Sequence, residues 1–176
     1  FADKVYNPQL KRQEVFFDKN YNTIIDLYSY GHDIETAWLM DRGVEVLGDD
    51  HYKEKMSPIT ETLAENVYEV AFDGHSLANE CCKGEVNDHR IWWVQAETVI
   101  GFLNEYQKHP QKTKFLEASE AEWEFIKEHV IDKRTGSEWF WEVHPDVSPI
   151  ADRPIVEPWK CPYHNGRMCM EVIRRL

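Results

Sequence analysis

Hydrophobic positions in this chain fall into long runs of helical spacing separated by short polar or alternating connections. From His32 to about Leu47 the apolar residues Ile34, Ala37, Trp38, Met40, Val44 and Leu47 share one helical face, and Gly48 closes the run. A second stripe, Ile59, Leu63, Val67, Val70 and Ala71, predicts a helix from roughly Pro58 to Phe72. IWWVQAETVIGFLNEYQ (91–107) is apolar on most sides, as suits a helix enclosed by others. AEWEFIKEHVI (121–131) is amphipathic. CPYHNGRMCMEVIRRL (161–176) reads as the last helix, with Pro162 in its first turn and Arg174 and Arg175 at the negative end of its dipole.

The connections carry other signals. EVFFD (14–18) and SEWFWEVHPD (137–146) read as strands, 73–90 as a loop or small hairpin, and VSPIADRPIVEPW as extended loop because its prolines break any regular element. These elements add up to an all-α fold of paired helices with short strands in the loops, forming one domain over residues 1–176.

Composition narrows the function. A formal net charge of −12 with scattered Lys and Arg opposes a phosphate backbone, so no nucleic-acid partner is expected. No apolar run approaches the roughly 20 residues that span a bilayer, and no signal-like segment opens the chain, so the expectation is no membrane and a cytoplasmic protein. Four cysteines, two of them adjacent, suggest reduced thiols. The chain starts at Phe1 and enters as if part-way through a fold, so a fragment is expected. Gly-rich phosphate loops, a G-x-S-x-G elbow and paired C-x-x-C motifs are missing, which removes the main supports for nucleotide, serine-hydrolase and zinc-ribbon readings.

Three segments place ionisable groups at helix starts: YGHDIETAW (30–38), RIWWVQAE (90–97) and WKCPYHNGR (159–167). His32 and Glu35 share a helix face, so the carboxylate can orient the imidazole while the helix dipole favours the neutral ring. Gly31 leaves space for a ligand near the backbone. A helix cap with a solvated first-turn acid accounts for the same spacing. Trp92 and Trp93 point about 100° apart on a helix, so one faces a cavity at most and the other is core. Glu97 lies on the face of Trp93, and a carboxylate amid apolar surface needs a partner or a substrate hydroxyl. An indole beside a carboxylate suits a sugar, though a Trp pair in a helix also suits a core. Pro158 and Pro162 restrict the backbone that carries Trp159, His164 and Asn165, either for proton transfer or as a cap with a buried Trp anchor. Cys161, His164, His32 and Glu35 would make a four-ligand metal set, without a second C-x-x-H or H-x-x-x-H pair in support. The remaining histidines, His51, His75, His89, His109, His129 and His144, lie in polar stretches and read as solvated.

SYGHDIETAWL, RIWWVQAE and PWKCPYHNGR, in this order, resemble the C-terminal half of the N-acylglucosamine 2-epimerase superfamily. VFFDKNYN and SEWFWEV extend the likeness over nearly the whole chain. The resemblance implies an (α/α)6 barrel, of which this chain is the C-terminal half. It also implies a central cavity for the reducing-end sugar of β-1,4-linked oligosaccharides, and epimerisation of glucose to mannose at C2 without cofactor or metal. On that likeness His32 and His164 are catalytic with Glu35 supporting the first. Trp93, Glu97 and Trp159 contact the sugar, and Trp92 and Arg90 belong to the motif. The implied partners are the oligosaccharide and the missing N-terminal half or a second copy of the chain. An N-acylglucosamine 2-epimerase, an aldose–ketose isomerase and an inactive association module are the rival expectations.

Overall fold

The computed structural model describes all 176 residues. Five α-helices dominate: α1 (Tyr30–Leu47), α2 (Asp50–Ala71), α3 (Trp92–Lys108), α4 (Lys114–Phe125) and α5 (Tyr163–Arg175); α4 runs on into a π-helical turn, Ile126–Val130. Seven strands of two or three residues occupy the connections: β1 (Tyr6–Asn7), β2 (Arg12–Gln13), β3 (Leu27–Ser29), β4 (Glu80–Cys82), β5 (Glu85–Asn87), β6 (Arg90–Ile91) and β7 (Glu142–Val143). They form three small antiparallel sheets, β1-β2, β3-β4-β5 and β6-β7.

Consecutive helices pack as the pairs α1–α2 and α3–α4, while α1, α3 and α5 pack side by side. This gives an inner row of three helices with α2 and α4 behind it, the layering of half an (α/α)6 barrel. Because α3 has neighbours on both sides and behind, 13 of its 17 residues are buried, which explains its lack of a single apolar stripe. One core cluster joins Ile34, Leu63, Val67, Phe102 and Phe115 across the first four helices. A second joins Trp38, Trp92, Ile100, Ile126 and Met168, and seats α5.

Two glycines let α1 and α3 approach closely. A β-carbon at Gly101 would fall 2.3 Å from the Ile34 side chain, and one at Gly31 would fall 2.6 Å from the Trp93 ring. Gly31 therefore makes room for an indole, where the sequence suggested room for a ligand.

Several boundaries differ from expectation. α2 begins at Asp50, with the Asp49 carboxylate accepting from the His51 N–H at 2.9 Å, and Pro58 lies inside the helix. Its first turns are exposed and so carry no apolar stripe to read. α4 likewise starts ahead of the amphipathic segment. EVFFD makes only an isolated bridge, Phe17 to Thr23, and SEWFWEVHPD contributes β7 and two isolated bridges, Trp139 to Ile131 and Val143 to Pro149. The aromatics there serve as core anchors, Trp139 being 8% exposed, instead of alternating along a sheet. Pro162 sits just outside α5, at its cap. The 73–90 connection does contain the β4–β5 hairpin. No helix is long and apolar enough to cross a membrane.

Candidate active site

The parallel inner helices bring three N-terminal ends to one rim: β3 feeds α1, β6 feeds α3, and the proline-rich connection feeds α5. Trp93, in the first turn of α3, packs against two imidazoles. Its ring centroid is 4.9 Å from that of His32 and 5.4 Å from that of His164. His32 is exposed on the open side of the row, whereas His164 is buried against Tyr163 and Trp92.

The two histidines are held differently. His32 Nδ1 meets the Ser29 hydroxyl at 2.6 Å, and the bulk around its ring, followed by the proximity of His164, lowers its pKa below the ordinary 6.5. Glu35 makes no bond to His32. Its Oε1 accepts from Arg167 Nη2 and lies 3.9 Å from His164 Nδ1, so the expected support of His32 by Glu35 is replaced by Ser29. Residues one turn apart share a face, but the stronger pull on Glu35 is a cation on the neighbouring helix.

His164 is held by Glu97, which is fully buried. Glu97 Oε2 accepts from Trp38 Nε1 at 2.8 Å, while Oε1 lies 2.6 Å from His164 Nδ1 and 2.7 Å from Arg167 Nη2. A carboxylate facing Nδ1 requires the proton there, which leaves Nε2 as the free acceptor. Glu97 thus orients a ring and has no free edge for a sugar hydroxyl. Burial, then repulsion from Glu97, pushes the Glu35 carboxyl up; the bond to Arg167 opposes the rise.

Arg167 is the residue that the motif contained and the reading left without a role. It stands three beyond His164, hence on the same face of α5, packs over the Trp38 ring at 5.2 Å, and joins both carboxylates. The clue was Glu97 itself: a buried acid needs a cation, and this one was within the quoted segment. Glu35, Glu97 and His164 place their ligand-type atoms within 4.8 Å of one another, but the Arg167 guanidinium already occupies the space between them. Cys161 and His32 are not part of that cluster, so the four-ligand metal set does not assemble.

The other candidates separate. Trp92 is the core indole, 1% exposed. Trp159 is 81% exposed, the most open aromatic in the chain, which removes the reading of it as a buried anchor. Arg90 is buried in a different place: its Nε donates to Ser76 Oγ at 2.7 Å and its Nη2 to Asp73 at 2.6 Å. It lines a polar cavity of about 600 Å³ with Asp73, Glu124, His129 and His144, away from the paired imidazoles.

Residues 10–165 match the family described as N-acylglucosamine 2-epimerase (GlcNAc 2-epimerase). The chain belongs to that family. Within the family it is similar to the cellobiose 2-epimerase of Ruminococcus albus, with 50% identity over 98% of this chain and 44% of that protein. The cellobiose 2-epimerase of Dictyoglomus turgidum is 49% identical over 100% of this chain and 45% of its own length. Among solved structures, a sugar epimerase from a ruminal bacterium superposes with a TM-score of 0.95 at 50% identity, covering 98% of this chain and 44% of that one. The chain thus spans less than half the length of the curated relatives it matches, and these relatives are carbohydrate epimerases.

Proposed function

We propose that this chain is the C-terminal half of a barrel that epimerises the reducing-end glucose of cellobiose and related β-1,4-linked oligosaccharides to mannose at C2. The observation that carries this reading is the packing of two imidazoles against one indole, with ring centroids 4.9 and 5.4 Å from it and different polar partners. The C2 proton of the open-chain sugar lies α to the aldehyde. A neutral imidazole takes it, the C–H electrons form the C1=C2 bond of an enediolate, and the other imidazole delivers a proton to the opposite face of C2. One proton leaves and one returns, so the reaction as written calls for no redox cofactor.

The two rings suit unequal states. His164 has Glu97 on Nδ1 and Glu35 nearby, which fix the ring with Nε2 as the proton-accepting nitrogen. His32 has no carboxylate partner, and the bulk around its ring favours the neutral form, ready to accept or having just delivered. Trp93 beside them is an indole of the kind that sugar C–H groups stack on, and Trp159 offers a second one at the rim. Arg167 is held by Glu35 and Glu97 and Arg90 by Asp73, so neither is free for the enediolate oxygens. That donor belongs, on this reading, to the other half of the barrel.

The test uses the full-length protein that carries this segment. H32A and H164A should each lower C2 epimerisation of cellobiose by about 10²–10⁴-fold, the usual contribution of a positioned acid or base. Activity unchanged in both variants would end the proposal. Separation of mannosyl from fructosyl products distinguishes return of the proton to C2 from its delivery to C1, the aldose–ketose outcome.

A further inference from the structure

Glu138 lies in the connection before β7, outside every residue assigned above, and both of its carboxylate oxygens engage the segment that carries Trp159 and His164. Oε2 accepts from Lys160 Nζ and Oε1 accepts from Asn165 Nδ2. Lys160 directly follows the exposed indole, and Asn165 directly follows the imidazole. One carboxylate therefore grips the neighbour of each.

The grip is built from buried parts. Lys160 is 1% exposed, its ammonium also donates to the Ile155 carbonyl at 2.8 Å, and it lies 5.2 Å over the Trp92 ring. An enclosed ammonium persists only where a carboxylate and further acceptors surround it, so this lysine is not a solvated surface charge. Reciprocal backbone bonds between Glu157 and Lys160, at 2.9 and 3.0 Å, close a tight turn that turns Trp159 outward. Asn165 is 7% exposed and fixed at the start of α5.

We propose that Glu138 is a positioning residue which, through Lys160 and Asn165, sets the stacking face of Trp159 against the proton-transferring Nε2 of His164. This rests on the reading of the site as a C2 epimerase. Without the grip, the sugar held on Trp159 and the base on α5 move independently, and an error of about 1 Å at the reacting carbon costs on the order of 100-fold.

The experiment compares E138Q, E138D and the double variant E138Q/K160M in the full-length protein, with Tm, kcat and KM for cellobiose as readouts and H164A alongside. E138Q strands a buried cation, so both Tm and activity fall. The double variant removes the cation with its counter-charge and recovers Tm, yet its kcat/KM stays about tenfold to 100-fold below the parent because the grip is gone. E138D keeps the charge but is too short to span both partners, and shows parent-like Tm with raised KM. Parent values of kcat and KM in the double variant, or in E138D should the double not fold, overturn the proposal. H164A separates the two levels: an inactive H164A beside a parent-like double variant refutes the grip alone, whereas an active H164A refutes the reading of the site.

Discussion

Helix α3 carries two buried glutamates that meet opposite ends of the half-barrel, and their surroundings differ in kind. Glu97, at the rim, faces a histidine whose second nitrogen stays open, and shares one guanidinium with Glu35. Glu105, near the other end, faces Lys108 at 3.5 Å in a network where Lys108 meets Asp41 at 2.9 Å, and Lys112 meets Glu61 at 2.5 Å and Glu65 at 2.8 Å. The far end matches carboxylates with flexible ammonium groups and with the His109 ring, whose Nε2 lies 3.6 Å from Glu105 and 3.5 Å from Glu61 and forms no hydrogen bond. The rim uses one planar guanidinium to fix two carboxylates and leaves a base unsatisfied. Burial of an acid alone does not mark a site; what distinguishes Glu97 is a partner with chemistry left over.

The largest effect should come from E97Q. It preserves shape but removes the carboxylate that orients the His164 ring through Nδ1, and kcat for C2 epimerisation in the full-length protein should fall by about 10²-fold or more. E105Q, on the same helix, should leave kcat within about twofold in the same assay, since the Glu105 carboxylate makes no hydrogen bond to a group with an open base. Equal losses of activity in the two variants would erase the distinction between the ends.

Position 101 lies between the two glutamates. G101A drives a methyl into Ile34 and should cost about 1–3 kcal/mol of stability by thermal or urea unfolding. His32 gives a pH test with a definite sign. Its folded pKa is below 6.5, so the unfolded state binds the proton more readily, and its contribution to stability is complete above pH 6.5 and is lost as pH falls through the folded value. The acidic limb of kcat/KM that reports His32 should accordingly lie below pH 6.5, and H32A should flatten the stability profile in that window. The smallest effect is expected at K112M, whose partners are partly exposed: at most about 1 kcal/mol, with activity unchanged.

The inner helices were legible because packing leaves an apolar signature, a stripe on α1 and apolar residues on most sides of α3. The first turns of α2 were not, because solvated turns leave no stripe. SEWFWEVHPD alternates like a strand, yet its Trp139 goes into the core, since alternation records burial and not pairing. At the site, His32, Trp93 and His164 could be named from their motifs, and the structure brings their rings together. The partners could not: which carboxylate meets which imidazole depends on the lateral register of α1, α3 and α5, set by packing between helices far apart in sequence. Arg167 and Ser29 fall under the same limit, one reached across the row and the other sitting at the end of β3.

The pair of glycines between α1 and α3 has a consequence for variation within such proteins. With no side chain at position 31, the gap between the His32 ring and the Trp93 indole is gauged by main chain lying directly on an aromatic ring, a contact with no slack. Any larger residue at 31 would displace the indole that both imidazoles share, disturbing the two bases of the proposed proton transfer at once.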